Sequence, residues 1–144
     1  MELSRIARRP VYTTHLGATV REVCQSLRDQ GVGALAVMHE GNLVGIISER
    51  DVVTRVVAPG ADPQRTFVSE VMTTPVQTVT EDISSIEALA LMHEGRFRHL
   101  PVLDRGGRLL GMLSVRDLLR GRIEELDMKN ADLMAFISAD GPGG

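Results

Sequence analysis

Apolar positions along the chain change their period at regular intervals, and the changes predict its elements. A short extended run, Val11–Thr14, comes first. Val20, Val23, Cys24 and Leu27 then recur at the spacing of one helix face and predict an amphipathic helix over Thr19–Gln30. Two short apolar runs around a glycine turn, Ala34–Met38 and Leu43–Ile47, predict paired strands, and a helix over Glu49–Val57 closes the unit. The same order then returns. An extended run over Val76–Thr80 precedes a helix over Ser84–Glu94, with Ile86, Leu89, Ala90 and Met92 close to helical spacing. Strands over Leu100–Leu103 and Leu109–Leu113 and a helix over Val115–Arg122 complete the second unit. Residues 123–137 predict a helical extension and 138–144 a frayed tail.

The recurrence extends to residue identity. Pro10-Val11-Tyr12-Thr13 matches Pro75-Val76-Gln77-Thr78 at an offset of 65, which holds through Glu22 and Glu87, Leu35 and Leu100, and Val37 and Val102. Gly45-Ile46-Ile47-Ser48-Glu49-Arg50-Asp51 matches Gly111-Met112-Leu113-Ser114-Val115-Arg116-Asp117 at an offset of 66. The extra residue falls in the second strand–strand turn, where a length change is tolerated. Two copies imply a pseudo-symmetric pair rather than a solenoid. Pro59, Gly60 and Pro63 mark the join. The expected division is a first domain over 1–60, a linker over 61–74, a second domain over 75–122, and a C-terminal helical extension and tail over 123–144.

Composition narrows the function. With 144 residues and 43% hydrophobic content the chain can bury a core, yet only 3% of it is aromatic, so packing falls to Val, Ile, Leu, Met and Ala. A net charge of −3 without a basic stripe argues against a nucleic-acid binder. One cysteine rules out an internal disulfide and fits a reducing, cytoplasmic setting. The first ten residues lack the apolar run of a signal peptide, and no stretch approaches the roughly 20 apolar residues of a membrane helix. No nucleophile–base pair and no metal-ligand spacing stand out, so no enzyme, cofactor or metal is expected.

The repeated Ser-x-x-Asp, at Ser48/Asp51 and Ser114/Asp117, has two readings. It is close to a capping box, in which the hydroxyl and the carboxylate satisfy free N–H groups at a helix start. A helix N-terminus also suits a phosphate, and a carboxylate there can accept two hydrogen bonds from a ribose diol. Duplication at the same place in both units favours a binding site. Arg50 and Arg116 can reach a phosphate or simply be solvated.

These residues resemble the CBS-domain family over roughly Val11–Arg122. The most specific pieces are Phe97-Arg98-His99-Leu100-Pro101-Val102 and Gly111–Asp117, together with the match of both units in order. The resemblance implies an α/β (α+β) fold of two βαββα units packed by their sheets into a pseudo-twofold module with two clefts, of the kind that senses AMP, ADP, ATP, S-adenosylmethionine or NAD-type ligands. The first cleft is expected to use Ser48 at phosphate or ribose, Asp51 at the ribose hydroxyls and Ile46 at the base. Val76 and Gln77 flank the adenine there, and Arg98 with His99 meet the phosphates. The second is expected to use Met112, Ser114 and Asp117 with Val11 and Tyr12. Its phosphate positions fall on Gly33 and Ala34, which carry no charge, so the first cleft is expected to bind a charged nucleotide better. An effector is expected on another chain. A ligand-independent interaction module with vestigial clefts is the alternative.

The remaining candidates are bland. His15, His39 and His93 have no metal spacing, and His99 is as well suited to packing as to phosphate. Cys24 reads as a small buried hydrophobe, and Met72, Met92, Met112, Met128 and Met134 as packing. The extension, with Ile123, Leu126, Leu133 and Phe136 on one side, either covers its own domain or pairs with a second subunit. The family habit of face-to-face dimers favours a homodimer.

Overall fold

The computed structural model describes residues 3–140, save for the side chains of Ser4 and of residues 137–140. The first unit comprises β1 (Thr13–His15), α2 (Val20–Gln30), β2 (Ala34–His39), β3 (Asn42–Ser48) and α3 (Glu49–Val52). The second repeats it as β4 (Val79–Thr80), α5 (Ser85–Gly95), β5 (His99–Leu103), β6 (Leu109–Ser114) and α6 (Val115–Asp140). Two short helices, α1 (Leu3–Ile6) and α4 (Val68–Val71), precede the two units. The sheets are three-stranded, ordered β1-β2-β3 and β4-β5-β6. In each, the first pair is parallel and the second antiparallel, with a bulge at the same place, Val37/Met38 and Val102/Leu103.

Local chemistry sets the element ends. Thr19 and Glu22 form a capping box that starts α2, and Gly31 closes it in the left-handed conformation at φ 65°. Ser84 caps α5, whose C-terminal cap is Arg96 at φ 56°, a conformation that strains a side-chain-bearing residue. Two elements differ from the sequence expectation. Past Val52 the helix expected to reach Val57 relaxes into a π-helical turn, Val53–Val57, with Val56 fully buried and Val53 and Val57 exposed. The expected helix Val115–Arg122, its extension and the first three residues of the expected frayed tail are one continuous helix of 26 residues, Val115–Asp140.

Alternation along the strands splits the core into three layers. In β2, Leu35 and Val37 face α2, whereas Ala34 and Ala36 face the other unit. Ile47 and Ile46 divide in the same way on β3, as do Leu113 and Met112 on β6. The middle layer, built on Ala34, Ala36, Ile46 and Met112 with Val11 and Val76 against it, joins the two sheets about a pseudo-twofold axis. Small alanines there let the sheets approach closely.

The segments between units cross over. Val68 and Val71, inside the stretch expected as a linker, are buried in the first unit's core, and Leu3, Ile6 and Ala7 are buried in the second unit's core. Thr73 then pairs with Ile46 through N–H···O bonds of 3.1 and 2.8 Å, and Arg8 pairs with Met112 through bonds of 2.8 and 3.2 Å. Each crossing runs close above a strand glycine. A Cβ on Gly45 would lie 2.6 Å from Met72 Sδ, and one on Gly111 would lie 2.7 Å from Ala7 Cβ.

Candidate functional site

Both Ser-x-x-Asp motifs close as capping boxes. Ser48 N–H donates to Asp51 Oδ2 at 2.9 Å, and Asp51 N–H donates to Ser48 Oγ at 3.3 Å. In the second unit the two distances are 3.2 and 3.0 Å. Both carboxylates are buried.

Their surroundings then diverge, because the crossing segments differ. Thr73 stands over Asp51 and donates its hydroxyl to Oδ1 at 3.0 Å, while Ser48 Oγ donates to Oδ2 at 3.2 Å. Arg55 Nε lies 4.0 Å away. Both oxygens of Asp51 are thus taken up within the protein. Arg8 occupies the corresponding place over the second motif, and its guanidinium turns away to the Gly31 carbonyl at 3.4 Å. Among the described residues, Asp117 Oδ1 meets only Arg120 Nη2 at 3.4 Å, a long contact that a ligand can replace.

Asp117 opens on a cavity of about 1060 Å³, ample for a nucleotide. From the first unit it takes Val11, Tyr12, Gly33, Ala34 and Glu49. From the second it takes Met112, Ser114, Arg116 and Asp117, together with Arg98 and His99. The grouping expected from sequence changes here. Arg98 and His99, expected to serve the Asp51 cleft, line the Asp117 cavity. The reason is the twofold relation, which sets Gly33 and Ala34 against Arg98 and His99 near the axis. A Cβ on Gly33 would lie 3.2 Å from the His99 ring, so the glycine makes room for the imidazole. The cleft expected to lack charge is therefore lined by cations: Arg8, Arg28 and Arg120, missed by the sequence reading, join Arg98 and Arg116, with Glu49, Asp117 and Glu124 opposing them.

The residues expected in the first cleft are placed as follows among the described residues. Ile46 has its backbone paired to Thr73, Val76 packs in the inter-sheet layer, and Gln77 donates to its neighbour's carbonyl at Thr78, 3.3 Å away. Arg50 lines a separate hollow of about 920 Å³ beside α5, together with Arg96 and Arg98. Its Nη1 donates to the Arg96 carbonyl at 3.2 Å.

Burial pushes the His99 imidazole below its ordinary pKa, against the pull of Glu49 and Asp117, so it is a neutral ring at pH 7 that an arriving anion would favour charging. Burial raises the Cys24 thiol, which packs against the first core. Among the described residues, no three His, Cys, Asp or Glu side chains cluster as metal ligands, and no helix is long and apolar enough to cross a membrane.

Two three-stranded α/β units joined through their sheets, with a nucleotide-sized cleft on the twofold, define a CBS-pair module. The model of the CBS domain matches residues 3–58 and 68–124, and the chain belongs to that family. An uncharacterized protein of Methanopyrus kandleri is 35% identical over 121 residues; these span 83% of this chain and 62% of that one, so the chain spans less than two thirds of this relative. A protein with CBS domains from Burkholderia ambifaria superposes with a TM-score of 0.82 at 36% identity, covering 86% of this chain and 95% of the other. A CBS domain protein from Pyrobaculum aerophilum, solved in complex with AMP, superposes with a TM-score of 0.77 at 29% identity, covering 89% and 99%. CBS-pair proteins are generally regulatory, signal-transduction modules.

Proposed function

We propose that this protein is a regulatory sensor that binds one adenine nucleotide, AMP, ADP or ATP, in the Asp117 cleft. The observation that carries the reading is a buried carboxylate with one weakly engaged oxygen, at the mouth of a cavity of about 1060 Å³ rimmed by five arginines. Adenine fits between Val11–Tyr12 and Met112, an apolar slot on the inter-sheet layer. Asp117 accepts from the ribose hydroxyls. Ser114, Arg98, Arg116 and His99 meet the phosphates, aided by the start of the long helix α6. The relative solved with AMP supports the ligand class. NAD-type ligands and S-adenosylmethionine present the same adenosine and are the competitors to exclude.

Regulation is assigned to α6. This helix carries Asp117 at its start and an exposed apolar side further on, with Ile123, Leu126, Leu133 and Phe136 between 51 and 64% exposed. A ligand at its first turn can bias how that side meets a partner, by as much as its affinity differs between the two arrangements. We read the protein as a homodimer that modulates an effector on another chain, in the cytoplasm, without catalysis of its own. Titration calorimetry with AMP, ADP, ATP, NAD and S-adenosylmethionine tests the ligand. Saturable binding of an adenine nucleotide that competes with the others is expected; no heat from any of them at millimolar concentration would refute the reading.

A further inference from the structure

The outer side of α6 carries a second pattern, whose first two positions, Leu119 and Ile123, also border the Asp117 cavity. Leu119, Ile123, Leu126, Asn130 and Leu133 follow one another at alternating steps of four and three, and Ile137 continues the spacing in sequence. That is a heptad seam, with Ile123 and Asn130 at the a positions and Leu119, Leu126 and Leu133 at the d positions. Leu119, Ile123, Leu126 and Leu133 are 51, 58, 51 and 55% exposed, and Asn130 is exposed as well. The helix meets its own domain through other positions, Leu118 and Gly121, which are buried. Among the described residues, the seam is therefore unpartnered within the chain. Residues 126–136 are all exposed, and a helix end of that length is marginal in water without a packing partner.

We propose that α6 pairs with α6 of a second copy of this chain as a parallel, in-register two-stranded coiled coil. This rests on the homodimer reading above and specifies its surface, register and orientation. Three features select that occupant. Isoleucine at a with leucine at d favours two parallel strands. Asn130 is the single polar residue in the seam. In a parallel pair it meets its own counterpart, and the two amides bond to each other, whereas in an antiparallel pair it faces a leucine. One flanking pair agrees: Arg122 at g, which within its own helix donates to Glu125 at 2.8 Å, lies five residues before Asp127 at e, the spacing that joins g of one strand to e of the other in a parallel pair. The seam is thus complementary to itself, as an interface on a twofold axis must be.

The test uses the full chain. Asn130→Cys in a Cys24→Ser background places a single thiol at the centre of the seam. Mild oxidation is expected to link most of the protein into disulfide dimers. Leu126→Asp, on the exposed side of a folded domain, is expected to weaken the dimer at least about 100-fold in sedimentation equilibrium, since it removes a packed leucine from each strand. A dimer that persists with Leu126→Asp and does not cross-link through residue 130 would overturn the seam while leaving the homodimer standing. A wild-type chain that is monomeric at tens of micromolar would overturn both, whichever protein or surface then covers the helix.

Discussion

Alanine at the two motif aspartates should separate stability from binding, in opposite proportions. At Asp51 the carboxylate accepts from Ser48 N–H, Ser48 Oγ and Thr73 Oγ1 at 2.9, 3.2 and 3.0 Å, with its side chain 10% exposed. Asp51→Ala removes the reverse half of a cap, worth about 1 kcal/mol, and strands a part-buried hydroxyl and N–H at about 1 kcal/mol or more each. The expected loss is about 3 kcal/mol, or a Tm lower by roughly 10 °C for a chain of this size. At Asp117 only the bond from Ser114 N–H at 3.2 Å and the long Arg120 contact are lost, for about 1 kcal/mol. Its binding effect is the larger one. Each ribose hydrogen bond to a charged group is worth about 1.5–3 kcal/mol, so losing two should cost about 3–6 kcal/mol and lower AMP affinity at least roughly 100-fold in Asp117→Ala. The assays are thermal unfolding of the free proteins and calorimetric titration with AMP. If Asp51→Ala abolished binding at unchanged Tm, or if both variants lost affinity equally, the assignment of the ligand to the Asp117 cleft would be wrong.

Three further outcomes follow from the geometry. Gly111→Ala should destabilise more than Gly45→Ala in denaturant unfolding. Its Cβ meets the backbone-fixed Ala7 Cβ at 2.7 Å, whereas the 2.6 Å neighbour of Gly45 is the mobile sulfur end of Met72. Arg96→Gly should stabilise by about 1 kcal/mol, seen as a higher urea midpoint at unchanged slope, because it relieves a left-handed cap without removing a buried group. His99 is depressed in the fold by burial, so below its ordinary range, near pH 6.5, the unfolded chain binds more protons than the native one. Stability should therefore rise as pH increases through that range, and His99→Asn should flatten the rise measured by Tm between pH 5 and 7.5.

Much of this molecule was legible in its sequence, and the exceptions share a cause. The strands, the glycine turns, the helix starts near Thr19 and Ser84 and the caps at Ser48 and Ser114 are local, so periodicity and the Ser-x-x-Asp spacing find them. Contacts across the pseudo-twofold are not. Dividing the chain into 1–60, a linker over 61–74 and 75–122 hides the fact that Leu3–Ala7 packs on the second unit and Val68–Val71 on the first. That exchange puts Thr73 over Asp51 and Arg8 over Asp117, which is what makes the clefts unequal. Treating each cleft as a separate set of homologous positions also grouped Arg98 and His99 with Asp51 alone, whereas both line the Asp117 cavity and Arg98 borders the Arg50 hollow as well. Near the axis, positions equivalent by the repeat lie side by side, and Gly33 is small because His99 fills its space. Arg28 and Arg120 sit on exposed helix faces, where a sequence offers no sign that a cavity lies beside them.

The central claim is that one adenine nucleotide binds per chain, in the cleft shared by Val11, Arg98 and Asp117. The stoichiometry of AMP binding, measured by calorimetry on wild type and on Asp117→Ala, tests it most directly. One site per chain, weakened in the variant, is the predicted result. Two equivalent sites per chain, or a single site indifferent to Asp117, would contradict it.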